Sequence, residues 1–314
     1  MHGGKKSLAT HQGETHMKTT LHTLLRNIAI VWLLAILSPH ANAEQKSFLW
    51  QITSKQNVVY MLGSVHVGNS ALYPLNKTIE DAFAQSSVLA VEADATDEQA
   101  MMATMMTALY TPPDNINNHL PQDLIVRMQK ILPNYSLPME AVQMMKPYMA
   151  AMVLTLSESA RLGYAPEHGI DLHFLNRAKT DQKKIIELES ADSQMRMMDS
   201  LTAKEQTAMF KHTLISIEKN KVGDELKAMF SAWQQGDPVR LAKVADASLA
   251  EVPELQTTFN EKMIIARNKT MTAKIEAFLQ NKETYFVVVG AMHLTGEQGM
   301  INLLRKKNFQ VKQL

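Results

Sequence analysis

Two histidines occupy the same local frame at opposite ends of the chain. One follows the apolar run Val59-Tyr60-Met61-Leu62 as Gly63-Ser64-Val65-His66, with Gly68 close behind. The other follows Phe286-Val287-Val288-Val289 as Gly290-Ala291-Met292-His293, with Gly296 close behind. In each case a β-prone run stops at a glycine and an imidazole comes three residues later. A glycine there permits a tight backbone path, which puts the ring at the carboxyl edge of a sheet, where open α/β sheets carry their chemistry. If the two strands are neighbours, His66 and His293 converge although 227 positions separate them. Two convergent imidazoles suit a divalent metal, or a base and its partner. Two unrelated turns with locally bonded histidines are the plainer alternative, and the paired occurrence favours function.

Carboxylates occur in related places. The run Val88-Leu89-Ala90-Val91 ends in Glu92-Ala93-Asp94, so Glu92 is expected at the same edge as a third ligand or a water-activating base, and Asp94 as a helix cap. Lys184 to Glu189 reads as a strand whose Glu187 and Glu189 share a face by period two, with Glu189 able to reach the edge or to precede the next helix. Arg267 enters from a long helix before the last apolar strand. Its fork would suit an oxyanion or a substrate carboxylate, and a solvated helix face is the equal alternative. Asp171 and His173 fit first-turn electrostatics and surface positions, His168 a helix entrance, His119 an Asn-rich loop and His212 a helix.

The elements that must position these residues form an α/β pattern. Phe48 to Thr53 and Val58 to Leu62 predict a hairpin, Leu75 to Gln85 a helix, Val88 to Val91 a buried strand. From about 96 to 280 the chain turns helical, opening on a capping box at Thr96 and broken by Pro112-Pro113. Further helices are expected at Gln122 to Ile131, Met139 to Leu162, Gly169 to Ala178, Gln194 to Ile217, Gly223 to Gln235, Pro238 to Leu249 and Pro253 to Gln280, with Lys184 to Glu189 the only strand among them. Tyr285 to Val289 returns to strand, followed by a helix at Gly296 to Lys306 and an edge strand at Phe309 to Gln313. The expected architecture is a central mixed sheet made by both chain ends, with a large, mostly helical insertion packed over it and no linker dividing residues 44–314. The 22 methionines recur at helical spacing, which favours core filling over a pliable peptide groove.

Composition removes several classes. There is no Cys, so thiolate metal sites, disulfides and Cys nucleophiles are excluded. Lys and Arg number 32 against 31 Asp and Glu, and aromatics are 6%, so a nucleic-acid partner is not expected. No Gly-x-Ser-x-Gly, HExxH or P-loop occurs. Residues 1–43 read as a signal peptide: a start at Met17, Lys18 and Arg26, the apolar run Ile28 to Leu37, and Ala41-Asn42-Ala43 as the processing site. That run is too short to span a bilayer, so an exported protein without a transmembrane anchor is expected, periplasmic in a host with two membranes.

These motifs together resemble the TraB/GumN family, which includes Tiki-type metalloproteases and is distantly similar to erythromycin-esterase-like and ChaN-like folds. The resemblance rests on Gly63-x-x-His66 with Gly68, Val91-Glu92-Ala93-Asp94, Gly169-Ile170-Asp171 with Leu188-Glu189, Arg267-Asn268-x-x-Met271, and Val289-Gly290-Ala291-Met292-His293-Leu294-x-Gly296. It implies a centre built from both Gly-x-x-His motifs and the early strand carboxylate. In Tiki-type members the implied activity is metal-dependent peptide cleavage, with Mn or Co as ions; esterase-like members activate water by His and Glu without metal, and ChaN-like members bind haem. The leading expectation is an exported hydrolase acting on a peptide or small molecule, with His66, Glu92 and His293 holding Mn, Co or Zn and Arg267 stabilising the oxyanion. A non-catalytic metal or haem binder, and a metal-free esterase or lactonase with His66 as base, are the alternatives.

Overall fold

Val88–Val91 and Tyr285–Val289 are apolar at every position, a pattern that suits strands covered on both faces, and all nine residues are buried. They form the middle of a six-stranded sheet. The computed structural model describes residues 46–314; the leader assigned to residues 1–43 lies outside the described residues. In chain order the elements are β1 (Leu49–Thr53), β2 (Val58–Ser64), α1 (Lys77–Gln85), β3 (Val88–Val91), α2 (Glu98–Thr107), α3 (Gln122–Ile131), α4 (Met139–Val142), α5 (Pro147–Arg161), α6 (Ile170–Thr180) and β4 (Lys184–Glu187). There follow α7 (Ala191–Asp199), α8 (Ala203–Glu218), α9 (Lys221–Gln234), α10 (Pro238–Leu249), α11 (Pro253–Thr258), a π-helical stretch Phe259–Ala266, α12 (Arg267–Phe278), β5 (Tyr285–Gly290), α13 (Met300–Lys306) and β6 (Gln310–Gln313).

The strand order is β4-β3-β5-β2-β1-β6. β2, β5, β3 and β4 run parallel, while β1 is antiparallel to both β2 and β6. This is the mixed α/β sheet expected from the sequence, with strands from both chain ends and helices between. Its four parallel strands all finish at one edge. The strand after β2 in space is β5, with Gly63 opposite Val289 and Ser64 opposite Gly290. The neighbour of β3 on that side is also β5, so Glu92 stands next to the second histidine motif and one strand away from the first.

Several helix boundaries depart from expectation for identifiable reasons. The stretch Met139 to Leu162 is two helices because Pro147 lacks an N–H and starts a new one at its first position. The stretch Gln194 to Ile217 breaks where Thr202 caps α8 in a reciprocal capping box with Glu205. The helix expected from Thr96 is capped one residue later: Asp97 accepts the Ala100 N–H, while Asp94, expected as a cap, accepts the Thr96 N–H at 2.9 Å instead. That helix stops at Thr107, before the prolines. Pro253 to Phe278 is helical throughout, two residues short of the expected end at Gln280, with its middle wound as a π-helix.

The methionines divide. Met61, Met128, Met271 and Met300 are fully buried, whereas Met101, Met102, Met105 and Met106 of α2 are 36 to 72% exposed, against the core role expected of them. α2 packs on α7 and turns the buried Thr104 inward, which leaves its methionine face outside. None of the helices among the described residues is long and apolar enough to cross a membrane.

The helical middle holds the sheet edge directly. Trp233 of α9, 5% exposed, donates its indole N–H to the Gly63 carbonyl at 2.6 Å. A Cβ at Gly63 would come within 2.5 Å of the Phe48 ring, so a glycine is required for this packing. Replacing Trp233 by Phe keeps most of the apolar bulk and removes the donor. We expect Trp233→Phe to lower unfolding stability by about 1–3 kcal/mol, the cost of a buried carbonyl that loses its partner, in urea denaturation.

Candidate active site

Each of the four parallel strands delivers one side chain to the common edge. His66 follows β2, His293 lies in the short 3-10 turn Ala291–Leu294 after β5, Glu92 follows β3, and Glu189 follows β4. A backbone hydrogen bond from the Glu189 N–H to the Glu92 carbonyl, 2.8 Å, extends the β3/β4 pairing past the strand ends. Glu187 and Glu189, expected on one face, diverge: Glu187 accepts the Asp94 N–H at 2.7 Å, whereas Glu189 turns toward Arg267.

His293 is 4% exposed and its tautomer is fixed by its neighbour. Asn268 donates its amide N–H to the Gln298 carbonyl at 2.8 Å, so its oxygen must face the ring, and it accepts from His293 Nδ1 at 2.6 Å. Nδ1 therefore carries the proton. Burial pushes the imidazole pKa down to about 4, outweighing the opposing pull of Glu92. At neutral pH Nε2 bears a bare lone pair, and it stands 3.7 Å from Glu92 Oε1. Two acceptors thus face each other.

Glu92 is ionised. Burial raises its pKa, but His293, Arg267 and His66 together with the Gly290 N–H more than reverse this, and the carboxyl lies below the usual range. Oε1 accepts the Gly290 N–H at 2.6 Å; Oε2 accepts from Arg267 Nη2 and, at 3.1 Å, from Gln194 of α7. Arg267 also binds Glu189 through Nε at 2.9 Å and the Met263 carbonyl, in the π-helical stretch, through Nη1 at 3.3 Å. The fork expected to meet an oxyanion is largely committed to two carboxylates, so in this structure Arg267 positions Glu92.

His66 is the outer ring, with 71% of its side chain exposed. Its Nδ1 meets Asp171 Oδ2 at 3.0 Å, and Asp171 Oδ1 accepts the Ser64 hydroxyl at 2.6 Å. The Asp171 charge and hydrogen bond raise the His66 pKa to about 9. Asp171 and Asn268 thus do for the two imidazoles what outer-shell partners do for metal-ligating histidines: they bind Nδ1 and leave Nε2 to the site.

Gly290 is where these groups meet. A Cβ built there would lie 3.3 Å from Glu92 Oε1, 3.6 Å from the His293 ring and 3.8 Å from His66 Nε2. The missing side chain leaves a cradle bounded by all three. Among the described residues no three His, Asp or Glu side chains stand close enough to hold a metal ion as placed. The donor chemistry nevertheless fits one: two Nε2 atoms with their far nitrogens held, and one ionised carboxylate, around a space kept open by a glycine.

Sequence reasoning brought together His66, Glu92, His293, Arg267 and Glu189. It gave Asp171 only a first-turn role and did not single out Gln194 or the Asn268 side chain. His119 stacks on Tyr110 and bonds Asp114, His173 packs at a tilt against Tyr73, and His212 lies 3.9 Å from Glu251.

The sequence profile of the TraB/PrgY/gumN family matches residues 48–313, from β1 to β6. The chain belongs to this family. It is 26% identical over 250 residues to YbaP of Escherichia coli, which covers 78% of this chain and 87% of YbaP. It is also similar to proteins named metalloprotease TIKI1: 20% identical over 317 residues in Danio rerio and 20% over 324 residues in Homo sapiens. Each of these alignments covers 86% of this chain, and the matched part is 63% and 62% of the two TIKI1 proteins. This member of the family therefore has distant likeness to named metalloproteases along most of its length.

The Asp171 contact gives a direct titration test. A raised histidine pKa means that the His66–Asp171 pair stabilises the fold fully below the ordinary value of 6.5 and that this support is lost as pH rises through about 9. In Asp171→Asn, NMR titration of His66 should move from near 9 back toward 6.5, and that alkaline loss of stability should disappear.

Proposed function

We propose that this chain is a hydrolase of peptide bonds with its centre at His66, Glu92 and His293. The observation that carries the reading is the confrontation of His293 Nε2 with Glu92 Oε1 at 3.7 Å beside the Gly290 cradle, with His66 Nε2 bordering the same space. Two facing lone pairs call for a cation or a proton donor between them. The likeness to proteins named metalloproteases supports a divalent ion in that place. His66, His293 and Glu92 would hold it, and an ion of the Mn, Co or Zn type would act there as a Lewis acid and lower the pKa of water toward about 7.

The protein's own groups have separable tasks. Asn268 and Asp171 hold the two rings, Arg267 and the Gly290 N–H hold Glu92, and Glu189 with Gln194 completes the support behind it. With Oε2 committed to Arg267 and Gln194, Oε1 is the Glu92 oxygen that faces the cradle, as a ligand in this reading and as the acceptor of a proton from water in a metal-free one.

The proposal is tested by the metal content and peptidase activity of protein purified without chelator. We expect about one divalent ion per chain and activity that is lost on chelation and restored by the ion. His66→Ala and His293→Ala should each lose ion and activity. Gly290→Ala should lose at least about tenfold in activity with its fold intact, because φ −49° and ψ 133° suit alanine and only the cradle is filled. Retention of full ion stoichiometry in both histidine variants would overturn the ligand assignment.

A second reading, hydrolysis without metal, has support in the opposed shifts of the two rings: His66 is held protonated as an acid and His293 neutral. Activity that survives exhaustive chelation would select it. Export completes the proposal, supported by the leader pattern of residues 17–43; the mature protein should begin at Glu44 by mass spectrometry of the product from cells.

A further inference from the structure

The two faces of α2 have different fates. Ala100, Ala103, Thr104 and Thr107 border the space against α7. Met101, Met102, Met105 and Met106 are exposed on the other side. At 3.6 residues per turn the four methionines fall within an arc of about 140°, opposite the arc of the inner residues.

This patch is not ordinary surface scatter. Among the described residues the other exposed large apolar side chains are Val126, Leu156 and Val239, which sit singly on α3, α5 and α10. Isolated exposed apolar residues need no explanation, whereas a group on one helix face does. A contact surface for another protein can be made of Leu, Ile, Val or Phe, yet α2 contains none of these. What its four exposed apolar side chains share is sulfur. Thioethers are soft ligands that suit Cu(I), while carboxylate and water suit Mg and Mn.

The spacing lets the sulfurs act together. Met101 and Met105, Met102 and Met105, and Met102 and Met106 are three or four residues apart, so each pair has its Cβ atoms about 5–6 Å from one another. Met102 and Met105 are the middle of this row of neighbours. Rotatable bonds in each side chain can turn the sulfurs toward a common point, and at exposed positions no packing holds them apart.

Charge on the same face favours a cation. Glu98 is three residues before Met101 and four before Met102, it is exposed, and no salt bridge engages it among the described residues. The helix carries no Lys or Arg. The chain has no Cys, so thioethers are its only sulfur ligands. We infer that the outer face of α2 binds a single soft monovalent cation, Cu(I) or Ag(I), through Met101, Met102, Met105 and Met106. This site does not depend on the hydrolase reading, because its ion differs in kind from the divalent one proposed at His66, Glu92 and His293.

The test is a titration of the full chain with Ag(I), a redox-inert soft ion, in chloride-free buffer, followed by NMR of isotope-labelled methionine methyl groups. The affinity for Cu(I) is measured separately by competition with a chromophoric chelator. We expect the first equivalent of Ag(I) to shift the four α2 methyl signals, assigned by single Met→Leu variants, and to leave those of the buried Met61, Met128, Met271 and Met300 in place. Excess Mg or Mn should not move the α2 signals, and H66A/H293A should respond to Ag(I) as the wild type does. M101L/M102L/M105L/M106L keeps bulk and helix propensity and should lose the site. Loss of an outer-shell partner alone costs a metal site about 10–100-fold in affinity, so M102L/M105L should weaken Cu(I) binding at least about tenfold. That double variant serves if the quadruple one does not fold. A first equivalent that shifts other methionines instead, or affinity unchanged in these variants, overturns the inference. So does binding that disappears in H66A/H293A. Self-association that the quadruple variant abolishes, with no Ag(I)-linked shift in the wild type, would assign the patch to a second copy of the chain and overturn it as well.

Discussion

The parallel seating of β5 between β2 and β3 governs the rest of the molecule. Parallel neighbours need long crossovers, so the chain must leave the sheet and return each time through helices. The same pairing fixes direction: β2, β5, β3 and β4 all end at one edge, and the residues just past their ends have to meet there. A one-residue slip of β5 would turn its buried side chains over and carry Gly290 away from Ser64. The full burial of Tyr285 to Val289 on both faces is what resists such a slip.

With the strand ends fixed, the edge becomes an electrostatic problem. Two glutamates stand side by side with little solvent, and Arg267 answers both at once, its side chain 16% exposed and theirs 11%. Without that guanidinium the two carboxylates would repel each other at close quarters. The arrangement also separates the two imidazoles. The inner ring, under apolar cover and bonded to an amide, stays neutral; the outer ring, bonded to a carboxylate, is held charged at neutral pH unless a cation takes the place of its Nε2 proton. One motif repeated at two strand ends thus gives two histidines of opposite character, and the difference lies in partners supplied by α6 and α12.

The sequence showed the strands that matter most because their apolar runs are compact and end in glycine or a carboxylate. It showed His66, His293 and Glu92 because each follows such a run directly. Asp171 was harder: an acidic residue in the first turn of a helix looks the same whether it faces the helix dipole or a ring brought in from another strand. Arg267 was read as meeting an oxyanion or substrate carboxylate, or equally as a solvated helix residue, and only its hydrogen bonds to Glu92 and Glu189 show that two carboxylates already hold it. The exposed methionines of α2 misled in a similar way, since helical spacing of apolar residues does not say which side of the helix meets the neighbour. Pro147 and Thr202 each start a helix in the structure, but the long periodic runs around them read as unbroken helices.

The order of strands in space differs from their order of synthesis, and this sets when the centre can exist. β2 and β3 leave the ribosome early, but the strand that must lie between them starts at Tyr285, after the whole helical middle has been made. Until then β2 and β3 have an empty lane between them, and a nascent chain holds His66 and Glu92 without His293 or the Gly290 cradle. Closing so long a loop is also slow relative to local helix formation. No fragment that stops before His293 can carry the assembled site, so the reactive groups come together only as one of the final acts of folding.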